Sequence, residues 1–322
     1  MFQPRSEILS WAEQGRIAPR DLRPALELAA ILPGAAQWRR FLERLLLFMG
    51  AVMLCAGLVF FFAYNWHELD RLAKFALVEA ALAAALWLVW RLGLERASGK
   101  AALLAAALLT GALLALVGQV YQTGADTFEL FAAWAAAILP WALLARFPVL
   151  WLLWLALVNL AITLYFQTFH SWLGVAFGPE RQLWVLFAFN TLALALWEAA
   201  AAAGVKWLSE RWSVRLLATA SGAFATTLAL VAIFGFGEYS AWGIVAWLAW
   251  VAAAYASYRH RLRDLYVLAG GALSVIVVAA AFLGQHSPMH DAGSFLFIGL
   301  AVIAMSAAAG YWLRSVSAEE DR

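Results

Sequence analysis

Charged side chains are scarce in this 322-residue chain: Asp, Glu, Lys and Arg together make up 13% of it, about half the share found in soluble globular domains. Such a shortage excludes a water-facing surface over most of the molecule. The formal net charge is only +2, and no basic block with interleaved aromatics occurs, so nucleic acid is excluded as a partner. Cysteine is nearly absent. Cys55 stands alone, which rules out an intramolecular disulfide and a Cys-rich metal site, and inside an apolar run it reads as a small buried hydrophobe. No Walker loop, dinucleotide fingerprint, nucleophile elbow or paired-His zinc helix is present. No catalytic residue can therefore be assigned, no cofactor is implied, and the balance leans away from an enzyme. The first forty residues carry no apolar signal core, so the first spanning helix is expected to serve as its own uncleaved insertion signal.

What remains is apolar. Hydrophobic residues make up 65% of the chain, with a mean hydropathy of +0.80. Runs of about 20 apolar residues, each long enough to cross a bilayer as a helix, follow one another at roughly 44–65, 72–93, 101–121, 128–146, 148–166, 182–204, 213–235, 241–258, 264–285 and 293–314. The fold class expected is all-α: a polytopic transmembrane bundle of about ten spans (44–314), with a polar tail at 315–322. Residues 1–43 form a cytoplasmic appendage and juxtamembrane helix, opening with a short helical hairpin that breaks at Gly15 and resumes at Pro19 and Asp21. Ile8, Trp11, Ile17, Leu22, Leu26 and Ile31 could share its small apolar face. Nineteen of the 22 Lys and Arg fall on one side of this ten-span topology, leaving Arg71, Lys74 and Arg181 opposite. The positive-inside bias then places both termini in the cytoplasm. The eighteen Trp are expected mainly at the two interfaces.

The polar residues that do occur collect on the outer side. "GQVYQTGADTFEL", Gly118 to Leu130, interrupts two apolar spans with hydrogen-bonding groups but no Lys or Arg. The missing positive charge follows from an outside position; the surplus of donors and acceptors does not. It is either an interfacial turn capped by Asp126 or part of an outward-facing polar site. The candidate ligand-binding set is Asn65, Glu79, Gln119, Tyr121, Asp126 and Glu129, since polar groups at membrane depth are costly unless paired or facing water. Glu198 is a second intramembrane acid. Outer histidines and Met289 have the chemistry of a copper or zinc site, but their spacing fits no signature. No metal site is assigned, with His286 and His290 as weak candidates. Asn159 and Asn190 lie at matching depth on consecutive antiparallel spans, as an interhelical polar pair would. Pro140 should bend the fourth span, while Gly50, Gly57, Ala107 and Gly111 would let helices approach closely.

"WAEQGRI", "FFFAYNWHEL" and "GQVYQTGADTFELFAAWAAAILP" resemble the bacterial membrane proteins of domain-of-unknown-function family 2157, from about residue 5 to residue 150. The resemblance implies a polytopic inner-membrane protein and supplies no activity, cofactor or catalytic residue. It also implies a membrane-protein neighbour as partner. The readings open at this point are a non-catalytic subunit or scaffold, held to partners or to a second copy through its appendage and membrane faces, and a transporter or ligand-binding protein with an outward polar cavity.

Overall fold

A computed structural model describes residues 4–29, 31–65, 67–168, 179–235, 240–286 and 292–320. The described residues form twelve α-helices and no strand. Ten of these helices are long and apolar enough to cross a membrane, so the chain is a multi-pass, all-helical membrane protein in contact with the lipid bilayer. Two compact units divide it, Met1–Thr123 (with Glu320–Arg322) and Gly124–Glu319.

The first unit opens with a hairpin of α1 (Pro4–Glu13) and α2 (Pro19–Leu28). Gly15 turns the chain at φ 70°, and Pro19 opens α2, where its missing N–H costs nothing. Of the six apolar residues expected on its face, Ile8 is buried, Trp11 is exposed, and the rest are half-buried. The first spanning helix, α3 (Ala35–Tyr64), begins nine residues earlier than its apolar run and covers 30 residues. At about 45 Å it outreaches a hydrocarbon layer of about 30 Å, so the Trp38–Arg44 stretch extends it beyond the apolar zone.

Asp70 caps α4 (Arg71–Leu92), its carboxylate accepting the Ala73 N–H at 2.7 Å. The core of this unit is α5 (Ala97–Tyr121), whose buried positions include Gly99, Ala101, Ala102, Ala106, Ala107 and Gly111. Such small side chains let α3 and α4 pack closely on it, with Phe62, Val78 and Leu116 filling the space near one end. Gly50 and Gly57 behave differently from expectation: a Cβ on either would meet open space.

In the second unit α6 (Thr127–Ala145), containing Pro140, packs on α7 (Pro148–Thr168). The centre is α9 (Arg211–Phe234), against which α8 (Pro179–Ala202), α10 (Ser240–Ala256) and α11 (Leu265–His286) all pack. Six of its nine buried residues, Ser213, Ala218, Ser221, Gly222, Ala225 and Ala229, are small, beside Val214, Leu217 and Leu228. Most of the remaining bulk comes from Trp197, Trp247 and Trp250, which lie in the core and not at an interface. Each indole N–H finds an acceptor: Leu208 O at 3.3 Å, Ser274 Oγ at 2.8 Å and Ser221 Oγ at 2.8 Å. Satisfying that single polar atom is what allows a Trp to be buried. The last helix, α12 (Ala292–Glu320), is joined to α10 by stacking of Trp312 on Tyr255 at 6.1 Å.

A tight backbone approach lies where α4 turns into α5. Gly93 ends α4 at φ 73°, and a Cβ on Gly99 would overlap its carbonyl group. Gly99→Ala should therefore lower stability by about 2 kcal/mol or more, seen as a reduced melting temperature in detergent, whereas Gly57→Ala should leave it unchanged.

Candidate functional site

Four of the six candidate outer residues lie in the first unit. Asn65 ends α3, and its amide donates to Phe61 O of the same helix at 2.9 Å. Gln119 lines a cavity of about 160 Å³ with Val59, Phe62 and Val78, among others. Glu79 follows Val78 directly, about 100° further round α4, and is exposed. Lys74, five residues earlier on α4, is buried. Tyr121 is exposed with its ring 5.9 Å from that of Phe75.

The other two, Asp126 and Glu129, open α6 in the second unit and are exposed. Asp126 occupies the N-cap position without a hydrogen bond from its side chain. Glu129 N–H instead donates to the Asp126 carbonyl at 3.0 Å. Before it, Gln122 closes α5 in the left-handed region at φ 47°, and Gly124 follows at φ 68°.

His286 is exposed and stacks on Phe282 with its Nδ1 3.0 Å from the Phe282 carbonyl oxygen; His170 and His290 lie outside the described residues. Among the described residues no three His, Cys, Asp or Glu come together as metal ligands. Cys55 is buried, with Sγ 3.7 Å from the Ala105 carbonyl.

The second unit holds most of the organised polar structure. Asn159 on α7 and Asn190 on α8 form a reciprocal amide pair, at 2.6 Å and 3.2 Å, and each also donates to its own helix four residues back. Hydroxyls continue the pattern. Thr191 meets Ser221 at 2.7 Å and Thr226 meets Ser274 at 2.6 Å, so every one of these side chains has a partner across a helix interface.

Where α8 and α10 end and α9 and α11 begin, four charges and a phenol converge. Glu198, the intramembrane acid expected near the end of its span, accepts from Arg211 Nη1 at 3.0 Å and from the Tyr258 hydroxyl at 2.9 Å. Asp264 accepts from Arg211 Nε at 2.9 Å and from Arg215 Nε at 3.2 Å. Arg211 Nη2 is equally near, at 2.9 Å, but out of line for a hydrogen bond. Asp264 also caps α11 by accepting the Tyr266 N–H at 3.0 Å.

A single π-helical turn, Ser257–Arg261, continues α10 and carries Tyr258 to Glu198. The Arg211 guanidinium lies 5.6 Å from the Tyr258 ring and Arg215 the same distance from the Tyr266 ring. Close by in sequence, Arg259 pairs with Glu319. Asp264 is only 1% exposed, while Arg211 and Arg215 are 32% and 45% exposed. Two carboxylates against two guanidinium groups balance in charge. The chemistry of this cluster is that of a clamp binding four helix ends.

Sequence reasoning flagged Glu198 but treated Arg211 and Arg215 as topology markers and passed over Asp264 and Tyr258. One signal was available: Asp264 is an isolated acid following Arg259, Arg261 and Arg263, at the start of a span. That is both an N-cap position and a place where a carboxylate can gather cations.

Residues 9–151 match the family model described as "Predicted membrane protein (DUF2157)", which takes in the second half of α1, α2 to α6 and the start of α7 and leaves the charge cluster outside. No curated protein matches the chain. No solved structure matches it.

Asp264→Ala should cost about 3 kcal/mol, because it strands two arginines and removes the cap of α11. Tyr258→Phe removes one hydrogen bond and should cost about 1 kcal/mol. Denaturation in mixed micelles, comparing both variants with wild type, measures the difference.

Proposed function

We propose, taking the family match as premise, that this chain is a non-catalytic subunit or scaffold of a complex in the bacterial inner membrane, with both termini cytoplasmic. The observation that carries the reading is Glu79. It lies eight residues into α4, about 12 Å along the helix, exposed and with no partner among the described residues. A carboxylate at that depth almost always faces protein or water, so its position calls for a neighbour.

The surface around it suits a helix. Ala76, Ala80 and Ala83 share its face and are exposed, flanked by exposed Leu72, Trp87 and Trp90. Small residues at this spacing allow backbones to approach closely, and a polar residue among them can hydrogen-bond across the contact. The partner of stated chemistry is therefore a membrane helix presenting a hydrogen-bond donor or a cation to Glu79. A subunit reading also accounts for the charge cluster, whose charges balance and which ties helix ends together.

The topology rests on the positive-inside bias. Single cysteines introduced at Thr123 or Ala125, in a Cys55→Ser background, should react with a membrane-impermeant maleimide added outside intact spheroplasts; labelling only after lysis would reverse the orientation. For the complex, gentle-detergent purification with mass spectrometry should recover a membrane protein with the wild type. Ala80→Leu and Glu79→Ala should lose it by about tenfold, roughly 1.4 kcal/mol of binding, at unchanged melting temperature. Equal recovery with all three chains removes the proposal.

A further inference from the structure

The seam between α9 and α11 is not closed along its length. It opens as a groove of about 580 Å³, lined by residues that include Gly222, Ala223, Thr227, Gly270, Leu273 and Val277, with Trp250 among the side chains along it. Its hydroxyl groups are already engaged. Thr219 meets Tyr266 at 3.1 Å, Thr226 meets Ser274, and Thr227 donates to the Ala223 carbonyl at 2.9 Å. A sugar, an amino acid or a nucleotide would find no unsatisfied group to bind there. The walls offer methyl and methylene contact from Ala218 to Thr227, about 13 Å along α9, which is the surface an acyl chain requires.

One end of the groove is different. Arg215 lies one turn before Thr219, its guanidinium over the ring of Tyr266, which itself lines the groove. Only its Nε is engaged, on an Asp264 carboxylate that it shares with Arg211. Both Nη groups have no partner among the described residues, and the side chain is nearly half exposed. Two free Nη groups on one planar fork match a phosphate, which they can bind through parallel charge-assisted hydrogen bonds. The end is rich in cations, with Lys206, Arg261 and Arg263 in the neighbouring connections. Basic pockets between membrane helices on the side of positive bias suit anionic lipid headgroups.

We infer that this groove binds one phospholipid with an anionic headgroup, its phosphate on Arg215 and one acyl chain along the α9–α11 seam. The inference is independent of the subunit reading, which rests on α4 of the other unit.

Native mass spectrometry of the full chain in mild detergent, titrated with phosphatidylglycerol or with phosphatidylcholine of the same acyl composition, tests it. Wild type should bind phosphatidylglycerol about tenfold more tightly. Arg215→Gln should remove that preference. Gly270→Phe, whose Cβ enters open space, should remove specific binding of both lipids while the melting temperature holds. Equal affinity of wild type for the two lipids overturns the inference, as does wild-type binding by Gly270→Phe. A photo-crosslinking residue at Ala223 that captures a polypeptide in native membranes, instead of lipid, overturns it as well.

Discussion

Asp264 is the group on which the second unit most depends. A carboxylate with 1% exposure would be untenable at the end of a membrane bundle without full compensation. Two guanidinium groups and a backbone N–H supply it. The compensation also fixes architecture: the N-terminus of α11 is fastened to α9, and through Arg211 and Glu198 to α8, and through Tyr258 to the turn after α10. Four helix ends thus share one electrostatic centre, and the apolar packing along α9 starts from a defined register.

The same requirement, that polar atoms be satisfied from within, recurs deeper in the unit. Where α9 faces its neighbours most of its side chains are small, and much of the space is filled by indole rings whose N–H groups reach Ser221 and Ser274. Each serine is in turn met by a threonine, Thr191 or Thr226. Small residues, large aromatic rings and hydroxyl pairs therefore form one solution to packing in a medium where lipid tails compete equally well for apolar contact. The first unit reaches close approach by a simpler route, through the Ala- and Gly-rich surface of α5.

How much of this was legible beforehand depends on the physics involved. The ten spans follow from hydropathy, because the bilayer sets a length that an apolar run either meets or does not. The amide pair of Asn159 and Asn190 was readable as two polar residues at one depth on consecutive helices. Burial of Trp197, Trp247 and Trp250 was not, since composition alone sends Trp to interfaces and only the positions of Ser221, Ser274 and the Leu208 carbonyl explain the exception. Asp264 was hidden for a related reason: its partners lie about fifty residues away in sequence, and no periodicity connects them. Glu79 and Gln119, grouped by their expected outer location, do not meet: Gln119 on α5 lines a cavity with Val78 of α4, and Glu79, the next residue, points about 100° away.

The π-helical turn at Ser257–Arg261 has a bearing on which changes in this chain are tolerable. Its Leu262 N–H reaches back five residues to the Ser257 carbonyl, at 2.9 Å, so the stretch contains one residue more than an α-helical path would use. Removing any single residue there would draw the turn back to an ordinary α-helical one and leave the connection to Asp264 one residue shorter. In that short connection the number of amino acids is as constrained as their identity. Related sequences should accordingly vary in letters there more readily than in length.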